Sequence, residues 1–285
     1  MQQTRPRYIG SLPTTLTAPH VESVGSIHDD DLQRDRLEHP MKPYERLGEA
    51  RTPNGTVIAL YRHDGAYLIR ADGVELMSTR RHLSEERLAD VACQPLRERS
   101  GARVLIGGLG LGFTLRAALS HLRADAQVVV AELVPEVIAW NADSRYELSA
   151  DAMRDPRVRI VNDDVVAVLR ANPGGFDAIM LDTDNGPDGM LMTENAPLYA
   201  ERGIALTIAA LRAGGKIVYW SVSEDRSFVG ALQRSGLRVE TLGVRAHETT
   251  GPMHALYTAT PRLRAADEQP SSNGEKPVRT KKKGL

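Results

Sequence analysis

A single cysteine, Cys93, stands among 285 residues. That excludes an internal disulfide and a cysteine-built metal cage, and it points to a reducing compartment. Charge of one sign is also lacking: the formal net charge is −1, so no global bias draws the chain to nucleic acid or to an acidic substrate. No apolar run reaches the roughly 18 residues of a membrane span. The opening "MQQTRPRYIGSLPTT" lacks the apolar core of a signal peptide. His82, His247 and His254 show no ligand spacing with each other or with acids, so no metal is assigned. These absences predict a cytoplasmic protein with neither membrane nor nucleic acid as a partner. What remains is 41% hydrophobic residues, enough for a sizeable core, over a length that permits two domains.

Residues 1–40 are polar and aperiodic and read as a disordered arm. Residues 263–285, with Lys281 to Lys283, read as a disordered basic tail. Between Arg51 and Thr79, short β-type runs are broken by "HDG" and "ADG", a strong hairpin signal. Residues 41–98 are therefore expected to form a small antiparallel β domain plus a linking helix, "SEERLADVACQPL", with Ser84 as its N-cap and Leu88, Val91 and Leu96 on one face. From residue 99 to 262 seven strand-like runs alternate with helical patterns. Most of the strand runs are apolar throughout, as where helices cover both faces. This predicts an α/β class protein with a doubly wound, Rossmann-like, mostly parallel seven-stranded sheet. No helix separates its last two strands, so the sheet should end in an antiparallel hairpin.

In such sheets ligands bind beyond the carboxyl ends of the strands. Here the first strand runs into "GGLGLG", which supplies Gly107, Gly108, Gly110 and Gly112. The next strands end at Glu132, at Asp163 and Asp164, and at Asp182 and Asp184. A carboxylate ending the second strand can accept both ribose hydroxyls of an adenosine, and an acid one strand further can reach the adenine amino group. The spacing G-x-G-x-G differs from the G-x-G-x-x-G of dinucleotide loops. The pattern favours an adenosyl ligand held by the four glycines, Glu132, Asp163 and Asp164, with one of the two aspartates capping the helix "VVAVLR".

Residues 101–260 resemble the class I S-adenosylmethionine-dependent methyltransferase fold. Within it they are similar to the polyamine aminopropyltransferases, the spermidine synthase family, which also carries a small β domain ahead of its catalytic domain. The family loop G-G-G-D-G-G stands opposite "GGLGLG", and "FDAIMLDTDNGP" resembles the strand that runs into its catalytic D-S-S-D-P-x-G-P. The departures are specific. The loop aspartate that holds the donor amino group aligns with Gly110, the family's T-E becomes Thr79-Arg80, and the catalytic loop is two residues shorter. Asp182 aligns with the first catalytic aspartate, while the second is Asp184 or is lost to Asn185.

The resemblance implies aminopropyl-type transfer from decarboxylated S-adenosylmethionine to a small amine, without a metal, by an enzyme that is often a homodimer. Asp182 would take the proton of the attacking amine and Asp184 would bind the acceptor, with Asn185, Tyr219 and Trp220 lining the acceptor pocket. The alternative is methyl transfer to a small molecule from intact S-adenosylmethionine. Gly110 and the Arg80-Arg81-His82 cluster, which could face a donor carboxylate, favour that alternative.

Overall fold

Asp-Gly turns and β-type runs set the first sheet. Strands β1 (Glu45–Arg51), β2 (Val57–His63), β3 (Ala66–Ala71) and β4 (Val74–Ser78) pair antiparallel in sequence order. At Asp64-Gly65 and Asp72-Gly73 both turn residues take positive φ, the type I′ arrangement whose twist matches the strands on either side. The computed structural model describes residues 42–182, 196–247 and 251–262, and the described architecture falls in one unit beginning at Pro43. The expected arm and tail, and the site candidates Asp184 and Asn185, lie outside the described residues.

The second sheet comprises β5 (Arg103–Gly107), β6 (Gln127–Glu132), β7 (Val158–Asn162), β8 (Phe176–Leu181), β9 (Leu211–Ser221), β10 (Leu237–Arg245) and β11 (Met253–Pro261). Its order is β10-β11-β9-β8-β5-β6-β7. The β5 to β9 pairings are parallel, and β11 runs antiparallel to both β9 and β10. This is the expected seven-stranded Rossmann-like sheet with its terminal hairpin. The linking helix is α1 (Leu83–Cys93). Next come α2 (Phe113–His121), α3 (Pro135–Ala142), α4 (Ala150–Met153), α5 (Val165–Arg170), α6 (Ala196–Tyr199), α7 (Glu201–Ala210) and α8 (Arg226–Arg234).

Strand alternation explains the continuous apolar runs. Val104, Ile106, Val130, Met180 and Val218 enter one core, while Leu105, Val129, Ile179, Leu181 and Ile217 enter the other. Each such side chain taken wholly out of water contributes roughly 1.5–3 kcal/mol, so both faces of the central strands stabilise the sheet. One local expectation is corrected. Helix α1 begins a residue earlier than Ser84, with His82 at its cap position and no side-chain capping bond. The Ser84 hydroxyl turns instead to the Glu85 carboxylate, donating to Oε2 at 2.5 Å. Sheet order reverses direction between β5 and β8, which opens a crevice at their carboxyl ends.

Candidate active site

A cavity of about 400 Å³ occupies that crevice, roofed by the small sheet. Pro53, Ile58, Ile69, Leu76 and Met77 form its apolar wall. Opposite them lie Gly108, Gly110, Glu132, Asp163, Asp164 and Asp182, with Leu133, Val134 and Val137 alongside. An apolar slot closed by convergent polar groups suits a ligand with one flat, weakly polar part and one charged part.

The four glycines divide into two roles. Gly108 and Gly110 line the cavity, whereas Gly107 and Gly112 do not. A Cβ on Gly107 would lie 2.9 Å from Leu181 Cδ2, and one on Gly112 would collide with Ser149. Those two positions serve close packing of the strand and helix. Gly108 sits at φ +91°, and a Cβ there would drive into the main-chain oxygen of Asp182. The glycine loop and the end of β8 are thus in backbone contact. Gly110 faces Met77, whose Sδ would lie 2.9 Å from an added Cβ. The space that a side chain at this position would enter is filled by the Met77 thioether.

Glu132 is buried at the end of β6, with 7% of its surface exposed. Its Oε2 accepts from the Leu109 N–H and its Oε1 from the Val134 N–H, each at 2.8 Å. Burial pushes its carboxyl pKa up, and backbone N–H groups of Val134, Leu109, Gly110 and Leu133 pull the other way. The carboxylate ties the glycine loop to the turn after β6 while bordering the cavity. Asp163 and Asp164 are exposed at the end of β7. Asp164 is the N-cap of α5, accepting from the Val166 N–H at 2.8 Å, and Asp163 accepts from the Asp164 N–H. Each carboxylate thus accepts one main-chain N–H, and Asp163 is the one that caps no helix.

Asp182 follows β8 directly. Its main-chain N–H donates to the Gly107 carbonyl at 3.0 Å, and its Oδ2 accepts from the Thr114 hydroxyl at 2.8 Å. Burial raises its pKa to about 6, against the lowering effect of the Thr114 bond. A second carboxyl stands close by. Glu85, in the first turn of α1, is raised to about 7 by burial and then by the charge of Asp182.

Tyr219 and Trp220 are neighbours on β9 and point to opposite faces of the sheet. Tyr219 is fully buried in a cluster with Tyr199 and Phe228, and neither residue is among those lining the cavity. Trp220 stands edge-on to His254 with ring centroids 4.6 Å apart. Arg80 binds Asp64, with Nη2 2.6 Å from its carbonyl oxygen, and Arg81 pairs with Glu75. Both arginines serve the small sheet, and neither borders the cavity. Glu85, Thr114, Met77 and the contact of His254 escaped sequence reasoning. Among the described residues no group of three or more His, Cys, Asp or Glu is placed to hold a metal ion, and no helix is long and apolar enough to cross a membrane.

No family model matches the chain. Its sequence is similar to polyamine aminopropyltransferases. It is 30% identical to that of Mycobacterium tuberculosis over 191 residues, 59% of this chain and 36% of the relative. It is 29% identical to that of Corynebacterium efficiens over 185 residues, 59% and 34%. It is 27% identical to polyamine aminopropyltransferase 2 of Pseudomonas aeruginosa over 239 residues, 81% and 64%. The chain spans about a third of the length of the first two relatives. In fold it matches the spermidine synthase of Thermotoga maritima with a TM-score of 0.59 and 19% identity, over 75% of this chain and 72% of that one. A spermidine synthase in complex with the transition-state analogue AdoDATO matches with a TM-score of 0.58 and 19% identity, over the same shares. The resemblance in sequence to the polyamine aminopropyltransferases and the resemblance in fold to spermidine synthase therefore both stand.

Proposed function

We propose that this protein is a transferase that moves an aminopropyl-type group from decarboxylated S-adenosylmethionine to a small amine. One observation carries the reading. Four carboxylates and no basic side chain line the cavity among the described residues. The segment 183–195, which follows Asp182, contributes no Lys, Arg or His to the sequence either. A sulfonium with an ammonium tail gains from that field, while a donor that keeps its carboxylate faces uncompensated like charge, about 4 kcal/mol per close pair at an effective dielectric near 20. The arginines that would favour intact S-adenosylmethionine are spent on Asp64 and Glu75.

In this reading Glu132 and Asp163 hold the nucleoside, and the apolar wall of Ile58, Ile69 and Leu76 covers its base. The acceptor enters as R–NH3+ and gives one proton to the Asp182 carboxylate. The freed lone pair attacks the methylene carbon of the sulfonium, the C–S bond breaks, and its electron pair stays on sulfur as a neutral thioether. The product leaves as a secondary ammonium, so each turnover releases one proton. The protein supplies alignment and a base whose pKa lies near the working pH.

The test is thermal shift with decarboxylated and intact S-adenosylmethionine, followed by identification of the coproduct with a panel of short diamines. The decarboxylated donor should stabilise more strongly and should yield methylthioadenosine. S-adenosylhomocysteine as the coproduct would replace this reading with methyl transfer, and preferential stabilisation by NAD would end the transferase reading.

A further inference from the structure

Thr114 sits in the first turn of α2 with 3% of its surface exposed, and a buried hydroxyl needs a partner. A threonine in a helix commonly finds one in its own backbone, one turn back. Thr207 in α7 does so, donating to the Gly203 carbonyl at 2.8 Å. For Thr114 the corresponding carbonyl is that of Gly110, which accepts instead from Asn141 Nδ2 at 2.8 Å. The Thr114 hydroxyl reaches out of its helix. It lies 2.8 Å from Asp182 Oδ2 and 3.4 Å from the main-chain oxygen of Glu85. With a single proton to give, it donates to the nearer acceptor, the carboxylate. The start of α2 is itself anchored. Asn141 on α3 is buried, its Oδ1 accepts from the Ser149 hydroxyl at 2.6 Å, and Ser149 packs against Gly112. Buried polar contacts therefore run from Ser149 and Asn141 to the glycine loop, and Thr114, which follows that loop, holds one oxygen of Asp182. Among the described residues the other oxygen accepts no hydrogen bond.

We propose that Thr114 is a positioning residue for the transfer: its hydroxyl fixes Oδ2 of Asp182, so that Oδ1 is the oxygen presented to the acceptor amine. The inference rests on the reading of Asp182 as the base. Thr114 does not line the cavity and acts through Asp182. A hydroxyl that donates to a carboxylate favours its charged form, so the same bond counters the burial that raises the Asp182 pKa to about 6. The ionisable groups around Asp182 cannot do this, being acids themselves. They are Glu85 on α1, whose affinity for a proton the Asp182 charge raises, and Glu132, Asp163 and Asp164, which line the same cavity. Thr114 is thus a donor set among acceptors. Holding the carboxylate in one orientation before the amine arrives also spares the reaction the entropy of fixing it.

The test measures kcat from about pH 5 to about pH 9 with saturating decarboxylated S-adenosylmethionine and the most active diamine of the panel. It compares the unaltered protein with three variants and records methylthioadenosine affinity for each. Thr114→Val keeps the shape and loses the donor, Thr114→Ala loses the donor without adding bulk, and Thr114→Ser keeps the donor. The valine and alanine variants should lower kcat by about tenfold or more, move the acidic limb of the profile up by about one pH unit, and leave methylthioadenosine affinity within about twofold. Thr114→Ser should restore most of the rate and return the limb to its original place. Valine and alanine profiles that superimpose on that of the unaltered protein would overturn the positioning role alone. So would a serine variant as slow as the alanine one, or a loss of methylthioadenosine binding in step with the loss of rate. No turnover of any diamine by the unaltered protein would overturn the functional reading and the role of Thr114 with it.

Discussion

Gly108→Ala probes the contact on which the candidate site is built. At φ +91° an alanine bears the left-handed penalty of roughly 1–2 kcal/mol. Its methyl would also be driven into the Asp182 carbonyl oxygen. That oxygen has little room to withdraw, because the Asp182 N–H is bonded to the Gly107 carbonyl at 3.0 Å and the Gly108 N–H to the Ala131 carbonyl at 2.9 Å. Forcing a methyl into a packed site typically costs about 1–3 kcal/mol, which brings the whole to about 2–5 kcal/mol. For a domain of this size that corresponds to a fall in Tm of about 4–20 °C. Gly214→Ala is the matched control, since Gly214 has φ +75° and an added Cβ meets nothing within 4 Å. The assay is urea unfolding of both variants, with methylthioadenosine binding in parallel. The difference between the two isolates the collision from the backbone strain. If Gly108→Ala is destabilised no more than Gly214→Ala and still binds methylthioadenosine normally, the glycine loop does not meet β8 as described.

Two further perturbations separate electrostatics from packing. Asp182 and Glu85 have folded pKa values of about 6 and about 7, above the unfolded carboxyl range near 4. The folded state therefore holds these protons longer, so their contribution to stability is complete below about pH 4 and is lost as pH rises through about 6 and 7. Asp182→Asn should accordingly raise Tm relative to the unaltered protein at about pH 8, keep about half of that advantage at about pH 5 and lose it below about pH 4, while turnover falls. A lower Tm for Asp182→Asn at the higher pH would refute the burial of that charge. Gly110→Ala should collide with the flexible end of Met77, whose Sδ and Cε would lie 2.9 and 3.0 Å away. Combined with Met77→Ala in urea unfolding, it should show a coupling of about 0.5–3 kcal/mol, and simple additivity would mean the two residues do not meet.

Much of the fold was legible because its signals are local. Asp64-Gly65 and Asp72-Gly73 specify their turns by backbone conformation alone, and the apolar strands announce a sheet covered on both faces. Glu132 was legible by its distance from the glycine loop, and the cavity brings it together with Asp163, Asp164 and Asp182. Other residues depend on geometry that spacing does not carry. Gly107 and Gly112 read like ligand glycines but answer to Leu181 and Ser149. Tyr219 and Trp220 are consecutive on a strand, and consecutive strand residues face opposite ways, so one pocket could not take both. Glu85 sits far from Asp182 in sequence, and only the fold brings the two residues near each other, through the Thr114 hydroxyl, which reaches the Asp182 carboxylate and the main-chain oxygen of Glu85. Ser84 looked like a cap because serine favours that position, yet a carboxylate and an imidazole within its reach hold its hydroxyl instead.

The distribution of these acids matters more than their number. In the proposed transfer positive charge leaves sulfur and appears on nitrogen as the new bond forms. A carboxylate nearest the sulfur would stabilise the bound donor more than the transition state and would slow the reaction. A carboxylate nearest the nitrogen gains as the reaction proceeds. Glu132 has both oxygens engaged by main-chain N–H groups, which spread its charge into the backbone and suit it to neutral ribose hydroxyls. Asp182 accepts one side-chain bond and keeps a pKa near 6, so its charge and its affinity for a proton remain available to the amine. Once the sulfonium has become a neutral thioether, the field of the cavity no longer retains it, and the same carboxylates that drew the donor in let the nucleoside product go.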